Sequence, residues 1–132
     1  MENQGIKILI IEDDRFLSSI LKGRLEKEGF VVNQAFDGDE GLEALKQDRP
    51  DLVLLDLIMP KVSGFEVLEA MSTDPQLSGI PVMIASNLGQ DSDIQKAKSL
   101  GAIEYYVKVR TSIDELAQMI KNLIAQNGSI VR

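Results

Sequence analysis

Five short aliphatic runs punctuate the chain: KILII at residues 7–11, FVVNQA at 30–35, LVLLD at 52–56, PVMIAS at 81–86 and AIEYYV at 102–107. Apolar residues at helical spacing follow each run. Leu17, Ile20, Leu21 and Leu25 follow the first until Gly29 supplies a stop, and Leu42, Ala44 and Leu45 follow the second. SGFEVLEAM follows the third, and Ile94, Ala97 and Leu100, closed by Gly101, follow the fourth. SIDELAQMIKNLIAQNG follows the fifth, closing near Asn127 and Gly128. Asp37 with Glu40, Ser63 with Glu66 and Ser112 with Glu115 have the spacing of helix capping boxes. The apolar stripes of these helices are expected to be core. Strands that read as continuous aliphatic runs, not alternating ones, belong to a parallel sheet covered by helices on both faces.

The expected fold class is therefore α/β: a flavodoxin-like, doubly wound, five-stranded parallel sheet of order 2-1-3-4-5 with five helices. A chain of 132 residues suits one domain, residues 1–132, with its core over about 6–126. With 44% hydrophobic and 27% charged residues the composition is that of a folded globular protein, which argues against disorder. No apolar run reaches membrane-spanning length and MENQGIK lacks the parts of a signal peptide, so a cytoplasmic location is expected. Cysteine and histidine are absent, which excludes disulfides and thiolate sites and removes the commonest general base. The net charge of −7 argues against electrostatic binding to nucleic acid or to anionic membrane.

Ligands of such sheets bind beyond the carboxyl ends of the strands, at the switch point between strands one and three. The first run leads directly into Glu12, Asp13 and Asp14, and the third ends on Asp56, so the fold gathers carboxylates at one rim. Their repulsion requires compensation by a cation, a proton or a basic side chain. Hard oxygens without His or Cys select Mg²⁺ or a similar ion. Strand four ends on Ser86 and strand five on Lys108. A carboxylate nucleophile, a cation, a hydroxyl and a lysine suit phosphoryl transfer. Asp14 alone reads as an ordinary acidic helix start.

The motifs ILIIEDD, LLDLIMPKVSG, VMIAS, SLGA and YYVK, in this order, resemble the receiver domains of two-component response regulators, chemotaxis regulators among them, from about Lys7 to Ala125. The resemblance implies that Glu12 and Asp13 are the acidic pair, with Asp13 the direct magnesium ligand. It implies that Asp56 is the phosphoacceptor and that the backbone carbonyl of Ile58 completes the protein's share of the Mg²⁺ shell. Ser86 becomes the switch hydroxyl, Lys108 the phosphoryl-binding lysine and Tyr105 the aromatic whose rotamer reports the state. The implied partners are a histidine kinase or phosphotransfer protein upstream and a protein target downstream. The surface of helix four, strand five and helix five is expected to change on phosphorylation and to carry partner binding or homodimerisation. The chain would then act as a signalling switch and not as an enzyme, and no output domain is expected in it.

Three departures from the family pattern stand out. Val109 occupies the place of a proline that is often cis; a non-proline cis bond costs about 3–4 kcal/mol, so a trans bond and a reshaped loop are expected. Asn87 follows Ser86 where the family favours a very small residue. Ile58 and Leu88 flank the approach of water in relatives, and apolar side chains there imply a long-lived phosphorylated form. The competing readings are a receiver-like scaffold that works without phosphorylation, an aspartyl-phosphate hydrolase, and a flavin or nucleotide binder. The hydrolase reading lacks its D-x-D motif, since Ile58 holds the second position, and no glycine-rich phosphate loop follows the first strand.

Overall fold

The computed structural model describes residues 5–126. In chain order the elements are β1 (Lys7–Ile11), α1 (Arg15–Lys27), β2 (Val31–Ala35), α2 (Gly38–Gln47), β3 (Leu52–Leu55), α3 (Gly64–Thr73), β4 (Val82–Ser86), α4 (Asp91–Ser99), β5 (Glu104–Val107) and α5 (Ile113–Gln126). A 3-10 turn, Lys108–Arg110, separates β5 from α5. The strands form one parallel sheet of order β2-β1-β3-β4-β5, the expected topology.

Successive side chains of each strand point to opposite faces, which divides the core in two. Ile8, Ile10, Leu52, Leu54, Met83 and Ala85 pack beneath Leu21 and Leu25 of α1 and Leu116, Ala117, Ile120 and Ile124 of α5. Leu9, Ile11, Val53, Leu55, Val82 and Ile84 pack beneath Leu45 of α2, Val67, Leu68 and Met71 of α3, and Ala97 of α4. Burying an aliphatic side chain of this kind contributes roughly 1.5–3 kcal/mol, so the central strands carry much of the stability. One stripe residue departs from the expectation: Ile20 stands 41% exposed, and the fully buried Ser18 takes the inward position, accepting from Gln34 Nε2 at 2.9 Å.

The helix starts follow the sequence with one correction. Asp14 caps α1 by accepting from the Leu17 amide, which makes it the ordinary helix start expected. Ser63 with Glu66 and Ser112 with Glu115 form reciprocal capping boxes at α3 and α5. At α2, Asp37 accepts from the Glu40 amide, but Glu40 Oε1 accepts from Phe36 and not from Asp37, so that box is only half formed. Glycines in left-handed conformation, Gly29 at φ +97° and Gly101 at φ +110°, end α1 and α4. The stop expected at Asn127 and Gly128 lies outside the described residues. The fourth helix is attached most thinly: Gln90 gives it no side-chain cap, and Ala97 is its one buried residue. Among the described residues no helix is long and apolar enough to cross a membrane.

Candidate phosphoryl-transfer site

Strand register places the acidic residues side by side. Ile11 pairs with Ala35 on one side and with Leu55 on the other. The Asp56 amide donates to the Ile11 carbonyl at 3.0 Å and the Glu12 amide to Ala35, so each carboxylate leaves its strand at the same height of the sheet. Glu12, Asp13 and Asp56 each offer an oxygen within 4.8 Å of the others. Glu12 and Asp56 are buried, only 3% and 5% exposed, whereas Asp13 faces solvent. Three carboxylates so placed, with no nitrogen or sulfur donor among them, fit a hard divalent cation.

Lys108 supplies the positive charge within the pocket. Its Nζ stands 2.6 Å from Glu12 Oε1 and 3.5 Å from Asp56 Oδ2. The lysine is not the last residue of strand five, as expected, but the first of the 3-10 turn, since β5 ends at Val107. Burial pushes the Glu12 carboxyl up to about 7; the Asp56 charge adds to the rise, while Lys108 and the Asp14 amide oppose it. Burial likewise raises Asp56, against the pull of Lys108 and of the Ile58 amide, which donates to Asp56 Oδ1 at 3.3 Å. The pocket therefore disfavours two bare carboxylates, and a divalent cation or a bound proton relieves it.

The loop after Asp56 is folded tightly back. The Val62 amide donates to the Pro60 carbonyl at 2.8 Å with Lys61 at φ +69°, a γ-turn in a conformation that side-chain-bearing residues rarely adopt. Gly64 closes it: a β-carbon there would lie 2.3 Å from the Asp56 carbonyl oxygen and 2.6 Å from Leu57 Cα, so only glycine fits.

The remaining residues singled out from the sequence lie on β4, on β5 and in the segments that follow β3, β4 and β5. Ser86, fully buried at the end of β4, accepts from the Leu88 amide at 3.3 Å. Tyr105 donates its hydroxyl to the Leu88 carbonyl at 2.6 Å. Burial raises the Tyr105 phenol, the Asp93 charge adds to this, and a hydrogen bond with Ser86 opposes it. Asn87 is exposed and Leu88 half-buried. Ile58 is 52% exposed and Val109 76%. The Lys108–Val109 bond is trans, as expected, and lies within the 3-10 segment. Phe16, 77% exposed in the first turn of α1 two residues after Asp14, is not among the residues that the sequence motifs single out. Its signal was available, because Phe16 falls outside the buried stripe of Leu21 and Leu25.

Comparison with known proteins agrees with the fold. The family model for the response regulator receiver domain matches residues 8–121. Protein PilH of Pseudomonas aeruginosa is 35% identical over 102 residues, which cover 77% of this chain and 84% of PilH. The DNA-binding dual master transcriptional regulator RpaA of Synechocystis sp. is 36% identical over 124 residues, 94% of this chain and 51% of RpaA. The chain thus spans about half the length of RpaA and of other curated relatives it matches. The structure of the phosphorylated cyanobacterial phytochrome response regulator RcpA aligns with a TM-score of 0.78 and 31% identity, covering 89% of this chain and 90% of RcpA. The chain belongs to the response regulator receiver domain family.

Proposed function

We propose that this chain is a phosphorylation-dependent switch of a two-component system, in which Asp56 accepts a phosphoryl group from a histidine kinase or phosphotransfer protein. The observation that carries the proposal is the buried Asp56 held within reach of Lys108 and beside Glu12 and Asp13. Glu12, Asp13, Asp56 and the Ile58 carbonyl would hold Mg²⁺. When bound, the ion supplies Lewis-acid neutralisation of the phosphoryl oxygens.

The chain's own residues account for the rest. A carboxylate oxygen of Asp56 attacks phosphorus; the phosphorus–nitrogen bond of the donor phosphohistidine breaks, and the imidazole leaves with the bonding pair and takes a proton. The Ile58 amide already orients Asp56 through Oδ1, which leaves Oδ2 on the Lys108 side. The acyl phosphate brings about −1.5 to −2 charges to the rim, and Lys108 turns from Glu12 towards the new oxygens. Ser86 donates its hydroxyl to them. Ile58 and Leu88 offer no group to orient an attacking water, so the phosphorylated form is long-lived.

The signal leaves through the surface of α4, β5 and α5. The weak seating of α4 supports this, because a switch requires an element with two arrangements of similar energy. Tyr105, bonded to the β4–α4 loop at Leu88, couples β5 to it. That surface would carry the downstream target or a second copy of the chain. The donor protein docks at the pocket's rim, where exposed Phe16, Ile58 and Val109 adjoin the site residues. Amide hydrogen exchange of phosphorylated and unphosphorylated chain tests the output half of the proposal. Altered protection across residues 87–110 is expected, and identical exchange in both states overturns it.

A further inference from the structure

We infer that α2, which supplies no ligand to the acid pocket, sets the pocket's metal affinity through the seat that Gly38 makes for Val62. The inference rests on the reading of Glu12, Asp13, Asp56 and the Ile58 carbonyl as the metal-holding groups. Ile58 rides on the loop of residues 57–63, so its carbonyl stands only as firmly as that loop does. Inside the loop, the Lys61 conformation at φ +69° is strained, and such backbone persists only where its surroundings hold it. At one end the Gly64 amide donates to Leu57 at 2.9 Å.

The outer wall is α2. A β-carbon on the buried Gly38 would stand 2.8 Å from both Cβ and Cγ1 of Val62 and 2.9 Å from its carbonyl oxygen. These atoms lie at or next to the backbone, so no side-chain rotation clears the space. The helix cannot give way easily, because at Gly41 a β-carbon would come within 2.6 Å of Ile11, and Leu45 is buried. Added bulk at position 38 must therefore move the loop, and with it the Ile58 carbonyl and the amide that orients Asp56.

Calorimetric titration with Mn²⁺ or Mg²⁺ alone tests this. Supporting groups around metal ligands typically change affinity by about 10–100-fold. Gly38→Ala is expected to weaken binding at least about tenfold while retaining its helical circular dichroism. Val62→Ala, which removes the branch resting on Gly38, weakens binding in the same direction and serves if Gly38→Ala fails to fold. Gly41→Ala, whose β-carbon has its nearest contacts with the Ile11 side chain, is expected to lose thermal stability yet bind metal within about twofold of the parent. Parent-like affinity in folded Gly38→Ala and Val62→Ala overturns the inference and leaves the pocket assignment standing, provided Asp13→Asn abolishes binding. Absence of metal binding by the unmodified chain overturns the pocket assignment and this inference together.

Discussion

The ammonium of Lys108 stands 2.6 Å from Oε1 of Glu12, although 96 positions separate the two residues in the chain. Burying a carboxylate beside a second one is costly, and this contact, with the 3.5 Å approach to Asp56, relieves part of the cost. Lys108 is thus the internal counterion of the pocket and competes with any cation for the same oxygens.

The pocket gives stability a particular pH dependence. Burial raises the Glu12 carboxyl from 4.5 to about 7, and Asp56 shifts in the same direction. The folded chain therefore keeps a proton that the unfolded chain releases. The stabilisation from that proton is complete below the unfolded value of 4.5 and is lost as pH rises through about 7. Metal requires the ionised form, so metal affinity rises across the same window. Thermal melts in the absence of divalent ions should show a midpoint that falls over this range, and Glu12→Gln should flatten the fall. A midpoint that rises with pH equally in both proteins contradicts the account.

Replacing Lys108 by Met separates binding from chemistry. Without the competing ammonium, divalent ions should bind several-fold more tightly at a pH high enough to ionise both carboxylates. Phosphorylation from a small donor should slow by about 100-fold or more, because a positioned charge on the phosphoryl oxygens is lost. Titration calorimetry and single-turnover phosphorylation read the two effects. Weaker metal binding by Lys108→Met would show that the lysine organises the carboxylates without competing for them.

Lifetime should yield to the residues beside the acceptor. Ile58 is exposed and Leu88 half-buried, and neither can orient water. Ile58→Asn combined with Leu88→Glu should speed loss of the phosphoryl group by about tenfold or more. An unchanged decay rate, followed by intact mass, rules out this explanation of a long-lived state.

Much of this architecture was legible in the sequence, because continuous aliphatic runs and helical stripes are local signals. The doubly wound order sets the carboxyl ends of the strands side by side, which is why the sequence points to one rim for Glu12, Asp13, Asp56, Ser86 and Lys108. Other features depend on non-local geometry. The exposure of Ile20 and burial of Ser18 follow from how α1 lies on the sheet, since Gln34 of β2 bonds the serine. Glu40 accepts from the Phe36 amide and not from that of Asp37, a choice of partner that residue spacing does not encode. The Lys61 γ-turn and the Gly38 seat arise from close approach of separate segments, and no pattern of residue types announces them. Lys108 fell one residue beyond the strand because its turn begins there, a boundary set by hydrogen bonds and not by hydrophobicity.

Tyr105→Phe removes the donor to the Leu88 carbonyl, a 2.6 Å bond that ties β5 to the β4–α4 loop. A net loss of about 1 kcal/mol in denaturant unfolding is expected. Phosphorylation should persist, since the hydroxyl touches no reacting atom, while binding of a downstream partner or a second copy should weaken. Wild-type stability in the variant would show that the bond contributes nothing to the resting state.

The central claim is that Asp56 accepts the phosphoryl group. Intact mass after incubation with Mg²⁺ and acetyl phosphate, comparing the parent with Asp56→Asn, tests it most directly. The account predicts a gain of one phosphoryl group in the parent, none in the variant, and none when the metal is chelated. Equal gain in both proteins, or no gain in the parent with either acetyl phosphate or a phosphorylated histidine kinase, contradicts it and favours a receiver fold that works as a scaffold.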